Sequence, residues 1–194
     1  DVFVMHTNQA GVIEWAVRAG GSGHDTGYAI SPDTSGGAWV AGDFQNSAVP
    51  FGSTQLSSNG LSDIFAMHVR QDAGTSRTVD LALSAGGTFF DVCEGLAPDG
   101  MGGAFCAGYF YNTVSFGSTS LTSSGSADIV LFRISSGSVE WALKAGGSLG
   151  DSAEAVASDG VGGVIVAGYF YGNAAFGGVT LTSCGGSDAF VMRV

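Results

Sequence analysis

With 194 residues, of which 45% are apolar and only 12% charged, the chain has the composition of a folded protein; disorder would need low hydrophobicity and dense charge. Six basic against seventeen acidic side chains leave a formal charge of −11, which disfavours nucleic acid and anionic lipid as partners, because neutralising phosphate takes clusters of Lys and Arg. Glycine, at 33 residues, exceeds twice its usual share of about 7%, and no apolar run approaches the ~20 residues of a membrane-spanning helix, so membrane insertion is not expected.

In chain order, strands are predicted near 2–7, 12–18, 26–31 and 37–44, with a short extended piece around 54–58. These are runs rich in Val, Ile, Phe, Trp and Tyr, separated by Gly, Asp, Ser and Asn. The segment Pro32-Asp33-Thr34-Ser35-Gly36-Gly37 reads as a hairpin turn, since Gly accepts positive φ and Asp bonds its neighbouring backbone. Everything after it repeats the same landmarks. Asp1-Val2-Phe3-Val4-Met5 returns as Asp63-Ile64-Phe65-Ala66-Met67, Asp128-Ile129-Val130-Leu131-Phe132 and Asp188-Ala189-Phe190-Val191-Met192, at intervals of 60 to 65 residues. Between them recur Ala19-Gly20-Gly21, Ala85-Gly86-Gly87 and Ala145-Gly146-Gly147. Ala41-Gly42, Ala107-Gly108 and Ala167-Gly168 follow, and then Phe51-Gly52, Phe116-Gly117 and Phe176-Gly177. The turn comes back at Pro98 to Gly103 and Ser158 to Gly163. The stretch Asp151 to Ala157 has good helix propensity, but its counterparts Gly27-Tyr28-Ala29-Ile30 and Val92-Cys93-Glu94-Gly95-Leu96 do not, so it is read as strand.

The repeats are assigned to 1–62, 63–127 and 128–187, with 188–194 opening a further copy as one loose strand. Four antiparallel strands at a fixed period predict an all-β fold of three tandem four-stranded blades of propeller type, plus one extra C-terminal strand, in which small residues such as Ala41-Gly42 occupy a crowded inner position. Closed propellers take about four to eight blades, so three do not close within the chain. Beginning at Asp1, without a leader pattern, the sequence is expected to be a processed chain or a window of a longer array. Two alternatives to the longer array stand beside it: a second copy that closes a ring, and an open run joined by strand addition. Asp1 and Phe3 at one end, and Asp188, Phe190 and Met192 at the other, are the candidate assembly strands, because an exposed apolar strand invites pairing.

The run Ala19-Gly20-Gly21-Ser22-Gly23-His24-Asp25-Thr26-Gly27-Tyr28-Ala29-Ile30, followed by Asp33, Gly36 and Val40-Ala41-Gly42, resembles the bacterial β-propeller repeat family. Phe116 to Gly125 and Asp188 to Val191 are similar to that family's linkers and outer strands, and the likeness recurs once per copy over essentially the whole chain. It departs at the Gly-Gly pairs 36–37, 102–103 and 162–163, and at His24, Phe90 and Gly150, where the family carries the first Asp of a pair. The resemblance implies scaffolding in secreted or cell-surface proteins, with similar arrays in algal surface proteins, and hence an extracellular location.

No Gly-x-Ser-x-Gly elbow or phosphate-cradling loop occurs, and His6, His24 and His68 lack metal spacing, so no enzyme activity is expected. Gly20 to Asp25 spells half of a calcium-binding nonapeptide, which makes Asp25, Asp91 and Asp151 candidate calcium ligands; the plainer reading has them bonding backbone amides of a Gly-rich turn. Asp1, Asp63, Asp128 and Asp188 are read the same way, as turn caps or incidental cation ligands. Cys93 and Cys106 flank a turn and are candidates for a disulfide, leaving Cys184 unpaired. Tyr109, Tyr111, Tyr169 and Tyr171 offer stacking surfaces for glycans, whereas Trp15 and Trp141 share a slot with Leu81 and are read as core. The leading expectation is a non-enzymatic structural or adhesive protein whose partners are copies of itself, with no cofactor; the alternative is a carbohydrate- or calcium-binding module.

Overall fold

A computed structural model describes residues 1–72 and 77–194. Among the described residues all regular structure is strand, and the fold is all-β and open. β1 (Val2–Thr7) and β2 (Ile13–Ala19) form an antiparallel pair. Next come β3 (Asp25–Pro32), β4 (Ala38–Phe44), the small hairpin β5 (Val49–Phe51) and β6 (Thr54–Leu56), then β7 (Asp63–Gln71) and β8 (Arg77–Gly87). The pattern returns in β9 (Asp91–Pro98), β10 (Ala104–Phe110), β11 (Thr113–Phe116), β12 (Thr119–Thr122), β13 (Asp128–Ser135) and β14 (Ser138–Gly147). It ends with β15 (Ser152–Ser158) and the long β16 (Val164–Phe176) and β17 (Val179–Arg193).

Pairing between the strands is antiparallel, with one isolated parallel bridge between Ser62 and Phe90. β3, β4, β7 and β8 bond in that order, β9, β10, β13 and β14 do likewise, and β16 lies between β15 and β17. Each last strand reaches the next hairpin: Gly20 N–H donates to Pro50 O at 3.0 Å, Gly86 and Gly87 pair with Ser115 and Val114, and Gly146 and Gly147 pair with Ala175 and Ala174. Residues 188–194 are not a loose strand: Asp188 to Arg193 are the far end of β17, paired with β16 from Asp188↔Phe170 to Arg193↔Ile165, and Val194 exchanges backbone hydrogen bonds with Val164. The helix-prone stretch after Asp151 is indeed strand, β15.

The sheets pack face to face in a partly propeller-like stack. Alternation along the middle strands sends one set of side chains to each neighbour, which is why these strands read as nearly continuous apolar runs. Ile64 and Ala66 of β7 join Val130 and Phe132 of β13 in one cluster, while Phe65, Met67 and Val69 of the same strand pack with Val2 and Val4 of β1. Ile129 and Leu131 of β13 turn the other way, onto Val164, Val166 and Phe190.

Two recurring dipeptides have local causes. Opposite each Ala-Gly pair the partner strand bulges, at Tyr28, Glu94 or Glu154, and a side chain on Gly42, Gly108 or Gly168 would sit 1.8, 2.0 or 2.0 Å from the carbonyl oxygen of Thr26, Val92 or Ser152. The crowding expected at these positions therefore comes from backbone, and only glycine fits. At each Phe-Gly pair the ring ends an inward-facing strand, and Gly52, Gly117 and Gly177 turn the hairpin at φ +65°, +60° and +63°.

Candidate functional site

Polar chemistry is placed along the two rims of the stack, at opposite ends of the strands. At the first, the hairpin aspartates each close their own turn: Gly37, Gly103 and Gly163 N–H groups donate to Asp33, Asp99 and Asp159 Oδ1 at 2.7, 2.8 and 2.8 Å. The second carboxylate oxygen meets a basic side chain of the third strand. His68 Nε2 lies 2.8 Å from Asp33, Arg133 NH2 lies 2.7 Å from Asp99, and Arg193 Nε lies 2.9 Å from Asp159. His68 also meets Asp80 at 2.7 Å, and Arg133 meets Glu140 at 2.8 Å. Among the described residues, His6 pairs only with Glu14, at 3.0 Å, and Arg193 only with Asp159. Burial acts to raise Asp33, but bonds from Ser35, His68 and Gly37 hold it at about 2. Asp99 is held low against the same burial by Arg133 and its turn amides.

At the opposite end stand the residues read as possible calcium ligands. Asp25, Asp91 and Asp151 are buried, and their Oδ2 atoms accept the N–H of Gly21, Gly87 and Gly147 at 2.8, 2.7 and 2.7 Å. Asp91 and Asp151 also accept from Tyr111 and Tyr171 N–H, at 3.1 and 2.9 Å. The third-strand aspartates cap neighbouring turns: Asn59, Ser124 and Cys184 N–H groups donate to Asp63, Asp128 and Asp188 at 3.0, 3.0 and 2.9 Å. Among the described residues no three His, Cys, Asp or Glu side chains gather in a way that could hold a metal ion.

The three copies of this end differ in neutralisation. Arg18 NH1 lies 3.0 Å from Asp1 Oδ2, and Lys144 Nζ lies 3.2 Å from Asp128 Oδ2, but the equivalent of Arg18 and Lys144 in the middle copy is Ser84. Asp63 and Asp91 are both fully buried there, and among the described residues Asp63 Oδ1, like Asp128 Oδ1, has no hydrogen-bond partner. Burial, with the Asp63 charge adding to it, pushes Asp91 up to about 7, and burial raises Asp63 as well.

Beside this end, a cleft of about 360 Å³ opens between the β9–β10 and β15–β16 edges. Tyr109 and Tyr111 meet at right angles with centroids 6.0 Å apart, and Tyr169 with Tyr171 repeats the arrangement at 5.9 Å. Glu94, Glu154 and Asp151 are the acidic members of the lining, and among the described residues no basic side chain takes part. Burial and then Glu94 push the Tyr109 hydroxyl up to about 12; burial, Glu154 and Asp43 raise Glu94. The tyrosines stand out in the sequence, but the equivalence of Glu94 with Glu154 was the missed signal, because opposite sheets bring the two together.

The remaining candidate residues lie apart from the cleft. Cys93 and Cys106 form a disulfide across the β9–β10 hairpin, with Cα atoms 6.1 Å apart, and Cys184 is free and exposed. Trp15 and Trp141 are partly buried against core clusters. Asp1 and Phe3 lie at the exposed start of the stack; at its other end Phe190 is buried, Met192 packs partly on the core and Val191 faces outward. No family model matches the chain, and no curated protein matches it.

Proposed function

We propose that this chain is a non-enzymatic extracellular structural protein, built of propeller-type blades, that joins copies of itself end to end. One observation carries the reading: the faces exposed at the two ends occupy the same register as faces buried inside. Phe65 and Met67 are fully buried against the preceding sheet, whereas their equivalents Phe3 and Met5 are 69% and 49% exposed. Ala66 and Leu131 are fully buried against the following sheet, whereas their equivalent Val191 is 74% exposed. A second copy laying its β16–β17 face on β1–β2 would repeat a contact of the kind the chain already makes internally at three core clusters.

The ladder of basic and acidic side chains marks both end sheets as incomplete along their edges. His68 and Arg133 each bridge a turn aspartate and a fourth-strand acid, while among the described residues His6 has only the acid and Arg193 only the turn aspartate. The Cys93–Cys106 disulfide suits an oxidising, extracellular setting. The likeness to bacterial propeller repeats points to the same class of scaffold.

Negative-stain imaging combined with sedimentation across a concentration series tests the proposal. Fibres or stacks that lengthen with concentration, and that Phe3→Lys and Val191→Lys each abolish, are the expected result. A particle that stays monomeric at every concentration overturns it.

A further inference from the structure

We infer that the tyrosine-lined cleft between β9–β10 and β15–β16 is a binding site for a small organic ammonium ion, of the kind carried by choline or a methylated lysine. Its aromatic half is two right-angled pairs, Tyr109 with Tyr111 and Tyr169 with Tyr171. Perpendicular rings make a corner rather than a flat platform. A corner surrounds a rounded cation with electron-rich faces, whereas a sugar ring stacks best on a single plane.

Charge points to the same ligand. Glu94 and Glu154 line the cleft, and no basic residue does so. Asp151 at its base spends both oxygens on the Gly147 and Tyr171 amides, so the two glutamates are left to face the ligand. The field is uncompensated, since Glu94 is raised by burial and by two other carboxylates with nothing drawing it back down.

A hard metal ion fits less well. Calcium takes six to eight oxygens, but among the described residues no three His, Cys, Asp or Glu side chains gather in a way that could hold a metal ion, and Asp151, the third carboxylate of the lining, is already held by two backbone amides. The volume, about 360 Å³, is at the small end of ligand cavities and matches a trimethylammonium group with a short tail.

The site lies within one chain and does not depend on end-to-end assembly. The test titrates the intact protein with choline chloride by calorimetry, following tyrosine near-ultraviolet dichroism in parallel. Three comparators are run: the uncharged isostere with a tert-butyl group in place of trimethylammonium, glucose, and calcium chloride. Saturable choline binding is expected, with the uncharged isostere about tenfold weaker. Glu154→Gln should weaken binding about threefold and Tyr169→Ala about tenfold, both at exposed positions where melting temperature is expected to hold. Added sodium chloride should weaken binding further. Absence of choline binding, equal binding of the isostere, stronger binding of glucose or calcium, or affinity unaltered by both substitutions overturns the inference.

Discussion

Ser84→Lys should stabilise the protein near neutral pH and do nothing in acid. In the folded chain Asp91 is pushed up to about 7, first by burial and then by Asp63, against bonds from Gly87 and Tyr111 that act to lower it. An unfolded aspartate titrates near 3.9, so between roughly pH 4 and pH 7 the folded state binds the extra proton and stability falls as pH rises, reaching a cost of roughly 4 kcal/mol above that window. A lysine at 84 would stand beside Asp63, as Lys144 stands 3.2 Å from the equivalent Asp128, and so would offset the charge that helps to raise Asp91. Discounted for a partly exposed ammonium, the gain at pH 8 is about 1 kcal/mol, or about 3 °C in Tm for a chain of this length. Thermal melts of both proteins from pH 4 to pH 8 give the comparison. A gain of equal size at both ends of the range, or a loss at pH 8, refutes the reasoning.

Further outcomes follow from the same contacts. Gly108→Ala forces a methyl to within 2.0 Å of Val92 O, and urea unfolding should show a loss of about 3 kcal/mol or more. Gly117→Ala, at φ +60° with open space around it, should cost only about 1–2 kcal/mol. Arg133→Met leaves the buried Asp99 carboxylate without its cation and should cost about 3 kcal/mol at pH 7. Because Asp99 is held below its ordinary value, its stabilisation is present above pH 4 or so and lost as pH falls, so that penalty should shrink toward pH 3. Arg193→Met, at an exposed pair, should cost less than about 1 kcal/mol in the same assay. Replacing Cys93 and Cys106 together by Ala opens a loop spanning 13 positions, and the loss of about 3 kcal/mol should lower Tm by about 6–12 °C.

Local features were the legible ones. The Asp33, Asp99 and Asp159 turns, the Ala-Gly and Phe-Gly pairs and the strands around them all rest on contacts within a few residues or across one hairpin, and such contacts leave a mark at fixed spacing. The strand at Ser152–Ser158 was readable against its own helix propensity because two other copies of the slot contradict a helix. The Cys93–Cys106 bond is likewise a cross-hairpin event. Which strands share a sheet was harder, because periodicity fixes the length of a repeat and not its phase: β4 pairs with β7 only after the β5–β6 hairpin intervenes. The cleft was hidden for a related reason. Glu94 and Glu154 sit sixty positions apart, and nothing nearby in the chain announces that packing of β9 against β15 sets them among the same four tyrosines.

Cross-linking in trans between the two end faces is the most direct measure of end-to-end association. In a Cys184→Ser background, which removes the exposed thiol, Phe3→Cys and Val191→Cys proteins are prepared separately, mixed and oxidised. Since Phe65 packs with Val4, and Phe3 and Val191 are the equivalents of those two residues, the mixture should yield a mixed disulfide dimer while each variant alone stays largely uncoupled. Equal coupling of each variant with itself, or no coupling in the mixture at concentrations where particles associate, would contradict it.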